Sequence, residues 1–304
     1  MSNKNAENYY DVKWINTQND SQKKFFTKNN PKNLSQFFFR EQYKIFKNIL
    51  SKHQIQSDAK ILEVGCGRGT TSVYLGLDNY SNLYLLDNSE NSVVIAKDNF
   101  RSEHLRAQFV VENAKDMSFD SETFDVVFSM GLLEHFKDPQ SIIDEKIRVL
   151  KKEGLFVAFI LPQKLSADSL LNSLLKPCLI MLRKVERKFT KENKIVNNSQ
   201  FKKKADKKIT KLYRNKLMVD YYRNALFSQL QNIDSFWVNP FPFLTPTSKS
   251  SQNFLVRVYY LLLNVKKYIF RCNTPYATNS LMGNGFFIYG IKKNKLNRLS
   301  AISY

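Results

Sequence analysis

Three glycines at alternate positions, Gly65, Gly67 and Gly69, form the stretch of the sequence best suited to holding a ligand. They follow an apolar run interrupted by one acid, Glu63, and precede Thr70, where a helix is expected to begin. Glycine lets the backbone turn sharply and approach a bound molecule closely, because it has no Cβ. The start of a helix adds unpaired N–H groups and the positive end of a dipole. The pattern therefore predicts a buried strand, a tight ligand-binding loop and a helix.

An acid at the end of the next predicted strand, Asp87, is the second candidate ligand-binding residue. It lies 18 residues beyond Gly69. In nucleotide-binding α/β folds, an acid at this place accepts hydrogen bonds from the ribose hydroxyls. Ser89 is expected to cap the helix that follows. The loop and the acid together predict a nucleoside ligand, but the dinucleotide-binding spacing G-x-G-x-x-G is absent, because position 70 is threonine.

Two segments carry a resemblance to a known family. The run Glu63-Val-Gly65-Cys-Gly67-Arg-Gly69 resembles motif I of the class I S-adenosylmethionine-dependent methyltransferases, E/D-x-G-x-G-x-G. The string SETFDVVFSMGLLEHFKDP resembles the corresponding segment in methyltransferases that act on small molecules and lipid quinones. The resemblance is strong over residues 55–162. It implies S-adenosylmethionine as the cofactor and S-adenosylhomocysteine as the product.

The resemblance also implies roles for single residues. The glycine loop would hold the methionyl part of the cofactor, Asp87 the ribose and Met130 the adenine. Where the family usually has Gly-Asp-Ala beside the adenine, this chain has Asn113 and Ala114. The side-chain carbonyl of asparagine can still accept a hydrogen bond from the adenine amino group. The expected cofactor-binding residues are Glu63, Gly65, Cys66, Gly67, Gly69, Asp87, Asn88, Asn113, Ala114 and Met130.

Four further residues are candidates for roles around the cofactor. His135 follows the fourth predicted strand, and its ordinary pKa suits a general base, which is needed only if the acceptor is a hydroxyl or a carbon acid. The alternative is a structural histidine that caps the turn together with Glu134. On the leading helix, Arg40 is a candidate partner for the methionine carboxylate, although an exposed helix arginine is the favoured interpretation. Tyr9 and Tyr10 would form a lid or anchor the tail.

The order of predicted elements indicates the fold class. Apolar strands alternate with helices, which is typical of a parallel sheet covered on both faces. The sequence predicts a Rossmann-like, doubly wound, seven-stranded and mostly parallel sheet, with a helical, basic insertion after strand five and a last strand that runs antiparallel. The expected strands are 60–64, 82–86, 108–111, 124–128, 155–160, 233–239 and 285–292. The expected segments are a lid and leading helix (1–54), the cofactor-binding core (55–162), the insertion with strand six (163–255), and an apolar helix with the closing strand (256–304).

Composition restricts the setting of the protein. The 304 residues carry a net charge of +20, of which residues 164–216 supply +12. The three cysteines and three histidines lack the spacing of a disulfide framework or a metal site, so no metal is expected. The few, scattered cysteines favour a reducing, cytoplasmic setting, and no signal peptide or membrane span is expected. The basic insertion, residues 165–216, fits an anionic membrane surface with a peripheral location, a substrate lid, or a solvated face.

The expected activity is methyl transfer to a small-molecule, lipid-linked or glycan acceptor, through O- or C-methylation. Two alternatives stay open. The positive charge suggests an RNA-directed methyltransferase, although nucleic acid is the less favoured partner, because no Asn/Asp-Pro-Pro-Tyr/Phe string follows the fourth strand. The other alternative is a non-catalytic scaffold with a cofactor-binding fold. The identity of the acceptor and the oligomeric state do not follow from the sequence.

Overall fold

The computed structural model describes residues 24–165, 170, 181, 213–239 and 249–294. Its centre is an eight-stranded sheet with the order β3-β2-β1-β4-β5-β8-β6-β7. The strands are Ile61–Val64 (β1), Leu83–Asp87 (β2), Gln108–Val111 (β3), Phe124–Met130 (β4), Leu150–Ile160 (β5), Leu230–Val238 (β6), Ala277–Thr278 (β7) and Gly285–Lys292 (β8). The helices in the described ranges are Leu34–Lys52 (α1), Thr70–Leu77 (α2), Glu90–Ser102 (α3), Gln140–Val149 (α4), Val219–Phe227 (α5) and Lys249–Phe270 (α6), with a 3-10 turn at Leu133–His135.

The sheet confirms the predicted Rossmann-like class. Strands β1 to β5 pair in parallel, and β8 inserts antiparallel between β5 and β6. The prediction of seven strands was one short, since Ala277–Thr278 adds an edge strand beside β6. A strand of two residues is too short to show alternation in the sequence.

The strand order reverses direction between β1 and β4, which places a crevice at the carboxyl ends of these strands. The loops after β1, β2 and β4 therefore meet at one edge of the sheet. Ligands of open α/β sheets bind at such a reversal point.

Apolar residues cover both faces of the sheet. On one face α1 packs on β4, where the rings of Phe46 and Phe128 lie 4.5 Å apart. Val127, on the opposite face of the same strand, belongs instead to the apolar cluster that contains Ile143 of α4 and Tyr222 of α5. Successive strand residues point to opposite faces, so one apolar strand serves both layers.

Several element boundaries differ from the sequence prediction. Strand β5 begins at Leu150 rather than 155, and Gly154 lies inside it, because an irregularity in its pairing with β4 and a positive φ at Glu153 (+58°) let the strand continue. Ser89 occupies the N-cap of α3, but its side chain makes no capping hydrogen bond. The predicted lid tyrosines and most of the basic insertion, 165–216, lie outside the described residues.

The remaining differences concern the C-terminal elements. The strand expected from 233 begins at Leu230, shortly after α5 (Val219–Phe227). The last helix begins at Lys249, ahead of the segment 256–304 that was expected to contain it. The ends of these helices and strands contain polar residues, so apolar spacing alone does not predict where each element begins or ends.

Candidate functional site

A cavity of about 400 Å³ opens at the reversal point of the sheet. Its walls come from the loops after β1, β2, β3 and β4, with further side chains from the segment before α1, α1 itself and the segment before α5. The lining residues are Phe25, Phe39, Glu63, Gly65, Cys66, Gly67, Arg68, Thr70, Thr71, Leu86, Asp87, Asn88, Asn113, Ala114, Lys115, Met130, Gly131, Leu132, Glu134, His135, Phe136, Leu161 and Arg214.

The glycine loop needs glycine for its backbone conformation. Gly65, Gly67 and Gly69 have φ angles of +71°, +52° and +64°, in the left-handed region that side chains disfavour. The N–H groups of Gly65 and Cys66 both donate to the carbonyl of Leu86, at 2.8 and 2.9 Å. The end of β2 therefore fixes the loop that follows β1.

Asp87 holds this loop through its side chain. Its Oδ2 accepts a hydrogen bond of 2.8 Å from the N–H of Gly67, and its Oδ1 accepts one of 3.0 Å from the N–H of Ser89. The carboxylate is thus fixed between the glycine loop and the start of α3. It lines the cavity in a set orientation.

Glu63 is a carboxyl buried in the cavity wall, with 2% of its surface exposed. The Ser72 hydroxyl donates a 2.5 Å hydrogen bond to its Oε2. Burial raises the pKa of Glu63 to about 8, and the nearby charge of Asp87 also raises it. A positively charged group in the cavity would reverse this effect and favour the ionised carboxylate.

A second glycine turn, at Gly131, contributes another part of the cavity wall. Gly131 has a φ of +81°, and its N–H donates to the carbonyl of Phe159 at 2.9 Å. The chain then enters the 3-10 turn Leu133–His135. This turn brings Glu134 and His135 side by side into the cavity wall.

Glu134 is a buried acid whose hydrogen bonding is incomplete. It is 2% exposed, and its Oε2 has no hydrogen-bond partner among the described residues. Burial raises its pKa to about 7, while the charge of Arg214 and backbone hydrogen bonds lower it. Buried polar atoms are normally satisfied, so an open acceptor beside a cavity is a place for a ligand donor.

A hydrogen bond to the backbone of Tyr213 orients the ring of His135. Its Nδ1 lies 2.9 Å from the carbonyl oxygen of Tyr213. A carbonyl only accepts, so Nδ1 carries the hydrogen of this contact and Nε2 becomes the basic nitrogen. Nε2 lies 4.0 Å from Oε1 of Glu134, close enough for that carboxylate to stabilise a protonated ring.

The polar side chain of Asn215 holds the 3-10 turn in place. Its backbone N–H donates to the carbonyl of Glu134 at 2.7 Å. Its Nδ2 contacts the carbonyls of Leu133 and Phe136 at 3.1 and 2.9 Å. Since Asn215 is buried, these bonds tie the segment before α5 to the loop after β4.

Nine of the ten predicted cofactor-binding residues line the cavity, as does His135. Gly69 is the exception: a Cβ there would lie 2.7 Å from a methyl of Leu85, so this glycine faces the packing of α2 on the sheet. Asn113 lines the cavity, but its Oδ1 already accepts a hydrogen bond from the N–H of Lys115 at 3.0 Å. A carbonyl oxygen has a second lone pair for another donor.

The predicted role of Arg40 does not match its position. Its guanidinium donates to the carbonyl of Asn29 at 2.5 Å and is absent from the cavity lining. Arg68 lies in the wall instead, with its guanidinium 4.2 Å from the centre of the Phe25 ring. A single arginine inside the glycine motif carries no spacing signal that would identify it.

Other lining residues were missed because they are distant in sequence. Phe25, Phe39 and Arg214 come from segments outside the motif-bearing core. The sequence does not predict that Glu134 is buried, because its burial depends on contacts with Asn215 and Leu161. Both residues are distant from Glu134 in sequence, so no local pattern reveals these contacts.

The described ranges contain neither a metal-binding cluster nor a membrane-spanning helix. No group of three or more His, Cys, Asp or Glu side chains there is arranged to hold a metal ion. Of the helices in those ranges, none is both long and apolar enough to cross a membrane.

Comparison with known proteins agrees with the geometry. The sequence model of a family described as a methyltransferase domain matches residues 62–158. Ubiquinone biosynthesis O-methyltransferase of Pelagibacter ubique is 30% identical over 124 residues, which cover 38% of this chain and 50% of that protein. The chain spans between 40% and 50% of the length of the first curated relatives that it matches.

Solved structures show the same fold at low identity. A putative sarcosine dimethylglycine methyltransferase from Galdieria sulphuraria has a TM-score of 0.55 and 11% identity, with 93% of this chain and 98% of that chain covered. The [4+2]-cyclase SpnF has a TM-score of 0.52 and 14% identity, with 96% of both chains covered. Residues 62–158, which match the methyltransferase-domain model, contain the glycine loop and Asp87, and both lie in the wall of one cavity.

Proposed function

We propose that this protein transfers a methyl group from S-adenosylmethionine to an oxygen or carbon atom of a small-molecule, lipid-linked or glycan acceptor. The observation that carries the proposal is that one cavity brings together two groups of residues. We call the part lined by the glycine loop and Asp87 the cofactor end, and the part lined by Glu134 and His135 the acceptor end.

The residues present fit the cofactor chemically. S-adenosylmethionine combines ribose hydroxyls and an adenine with a positively charged sulfur and an ammonium group. Asp87 offers carboxylate oxygens for the hydroxyls, and Glu63 offers a carboxyl that a cation would ionise. Met130 and Leu132 provide apolar wall for the adenine and the methyl-bearing arm. We assign the cofactor to this half of the cavity.

When bound, S-adenosylmethionine supplies a methyl group on a cationic sulfur, which is already strongly electrophilic. The protein's task is therefore to align the acceptor and exclude water. Phe25 and Phe39 stack with ring centres 5.5 Å apart, and both line the cavity. They are positioned to cover it with apolar surface.

His135 is the proposed general base. Its Nδ1 contact with the Tyr213 carbonyl directs the basic Nε2 for proton removal from the acceptor. Glu134 would stabilise the protonated ring, since its carboxyl lies 4.0 Å from Nε2. Its unpartnered Oε2 would accept a hydrogen bond from a hydroxyl of the acceptor. This arrangement favours acceptors that lose a proton, such as phenols and sugar hydroxyls, over amines that react without a base.

The acceptor class draws support from the relatives. The Pelagibacter ubique relative is named for ubiquinone biosynthesis, and the Streptomyces halstedii relative, 26% identical over 110 residues, is named methyltransferase GfsG. Both matches cover half or less of those proteins. A small-molecule or lipid-like acceptor is therefore our proposal for this chain.

Methyl-labelled S-adenosylmethionine tests the proposal. The protein is incubated with a cell extract separated into lipid, polar small-molecule and RNA fractions. We expect label in the lipid or the small-molecule fraction. We expect His135→Gln to lower the rate by about 100-fold or more, since a positioned base contributes this much.

The control variant is Asn113→Ala, which also changes a polar side chain of the cavity wall but lies in its cofactor half. Its effect should appear in the KM for S-adenosylmethionine rather than in the rate at saturation. Label in the RNA fraction alone, or in none of the three, would contradict the proposal.

A further inference from the structure

The outer face of α6 is apolar although it is exposed. Five of its residues, at successive separations of seven, four, three and one positions, expose 45% to 87% of their surface. At about 3.6 residues per turn, all five positions fall on one side of the helix. These residues form what we call the α6 outer face: Phe254, Leu261, Val265, Tyr268 and Ile269.

The inner face of α6 already provides its attachment to the protein. Val256, Tyr259 and Leu263 are 2% to 4% exposed and belong to the core. The ring of Tyr259 lies 5.7 Å from that of Phe37 on α1. The outer face is therefore a second apolar surface, which docking on the sheet does not require. Surface helices normally place polar residues there.

Positive charge flanks the outer face. Arg257, Lys267 and Arg271 are exposed, and none of them takes part in an ion pair within the described ranges. Helix α6 contains no acidic residue, and positions 235–304 hold nine Lys or Arg and no Asp or Glu. An apolar stripe with basic flanks is the pattern of a helix that lies in the plane of a membrane interface.

We infer that the α6 outer face docks on an anionic membrane surface. The apolar side chains would enter the boundary between headgroups and acyl chains, and Arg257, Lys267 and Arg271 would contact lipid phosphates. This inference does not rest on the proposed function, because it uses no residue of the cavity. It also places the membrane contact on α6, whereas the sequence suggested residues 165–216.

A second copy of this chain is the less favourable occupant. Pairing the face with itself would bring together two chains that each carry a charge of +20, with basic residues beside the contact. An anionic lipid surface instead neutralises these residues. The sign of the charge therefore favours lipid.

Vesicle binding of the full chain tests the inference. The probes are vesicles of phosphatidylcholine alone and vesicles of equal parts phosphatidylcholine and phosphatidylglycerol. We expect binding to the anionic vesicles and at least about 10-fold weaker binding to the neutral ones, because each Lys or Arg near such a surface contributes about 1 kcal/mol. Raising the salt concentration should weaken binding to the anionic vesicles.

Two variants separate the apolar contribution from the charge. Leu261→Ser with Val265→Ser and Ile269→Ser removes three exposed apolar side chains and should weaken binding about 10-fold or more. Its matched control is Phe227→Ser, since Phe227 is 70% exposed on α5, away from α6. Replacing Arg257, Lys267 and Arg271 by Gln should weaken binding to anionic vesicles only.

The matched charge control replaces Lys97, Arg101 and Arg106 by Gln, which removes the same charge near the β3 edge of the sheet. Unchanged melting temperatures would show that the variants fold. The inference fails if the wild type does not bind anionic vesicles, or if the controls weaken binding as much as the α6 variants. It also fails if light scattering shows a dimer that only the α6 apolar variant dissociates, without vesicle binding.

Discussion

The two ends of the cavity are built differently, although each contains a buried carboxyl beside a glycine turn. At the cofactor end, Glu63 receives a hydrogen bond from Ser72, and Asp87 accepts two backbone N–H groups. At the other end, Glu134 keeps one oxygen without a partner among the described residues. At the first end both carboxyls accept hydrogen bonds from the protein without a ligand. At the second end the Oε2 acceptor of Glu134 has no such bond within the described residues.

This difference separates a preorganised site from one whose polar groups await a partner. The cofactor end uses contacts between neighbouring strands and loops within residues 62–158, the stretch that matches the methyltransferase-domain model. The acceptor end depends on Tyr213 and Asn215, which lie about 80 positions beyond the turn that they hold. The comparison implies that changes at the first end disturb cofactor binding, and that changes at the second disturb acceptor binding and proton transfer.

The largest expected effect concerns the two buried carboxyls. Both have pKa values above the ordinary 4.5, about 8 for Glu63 and about 7 for Glu134. Below pH 4.5 the folded and unfolded chains both hold these protons. Above it the unfolded chain loses them first, so the free energy of unfolding falls until about pH 7 for Glu134 and about pH 8 for Glu63.

Glutamine does not ionise, so replacing either acid by glutamine removes its contribution to the fall in the free energy of unfolding with rising pH. We expect Glu134→Gln to be more stable than wild type by roughly 2–4 kcal/mol at pH 8, with the gain growing between pH 4.5 and 7. The gain from Glu63→Gln should grow up to about pH 8. Urea unfolding at several pH values measures both. A gain that does not change with pH would show that the pKa values of these acids are the same in the folded and unfolded chains.

Asn215→Ala should have the next largest effect. It leaves the buried carbonyls of Leu133 and Phe136 without their donor, and we expect a loss of about 2–3 kcal/mol in the free energy of unfolding. Affinity for S-adenosylhomocysteine should change less than threefold, since the cofactor end keeps its contacts. Asn113→Ala is the control, because Asn113 is exposed and should cost less than about 1 kcal/mol.

Equal losses of cofactor affinity and stability in Asn215→Ala would break the proposed separation of the two ends. Denaturant unfolding and calorimetric titration of the same sample give both quantities.

The smallest expected effect compares the two glycine turns. Alanine at Gly65 combines a φ of +71° with a Cβ only 2.7 Å from a methyl of Leu132, and we expect a loss of about 2 kcal/mol. Alanine at Gly131 has a φ of +81°, but its nearest contact is 3.4 Å, so about 1 kcal/mol is expected from strain alone. Thermal unfolding measures both. A larger loss at Gly131 would mean that the cofactor loop is the more adaptable turn.

The cofactor end was largely predictable from the sequence, because its parts are local. Glycine spacing reports the backbone turn directly, and Asp87 ends an apolar strand one βα unit later. Even here Gly69 proved to be a packing residue, since facing Leu85 instead of the cavity depends on how α2 sits on the sheet. Arg40 lies outside the cavity wall, in line with the favoured interpretation of an exposed helix arginine, and its partner, the backbone of Asn29, is one that no helical pattern shows.

The acceptor end was predictable only in His135. The burial of Glu134, the orientation of the His135 ring and the place of Arg214 depend on the last residues of the insertion. Likewise, the apolar pattern of α6 predicted a helix but not which of its two apolar faces would pack on α1. These features depend on contacts between residues far apart in the chain, and such contacts cannot be derived from the spacing of residues in a single sequence.

Calorimetric titration with S-adenosylmethionine and S-adenosylhomocysteine tests the central claim most directly, using wild type, Asp87→Ala and His135→Gln. We expect binding by the wild type, a loss of about 100-fold or more in Asp87→Ala because hydrogen bonds to a charged carboxylate contribute about 1.5–3 kcal/mol each, and little change in His135→Gln. No binding by the wild type, or equal losses in both variants, would contradict a cavity divided into a cofactor end and an acceptor end.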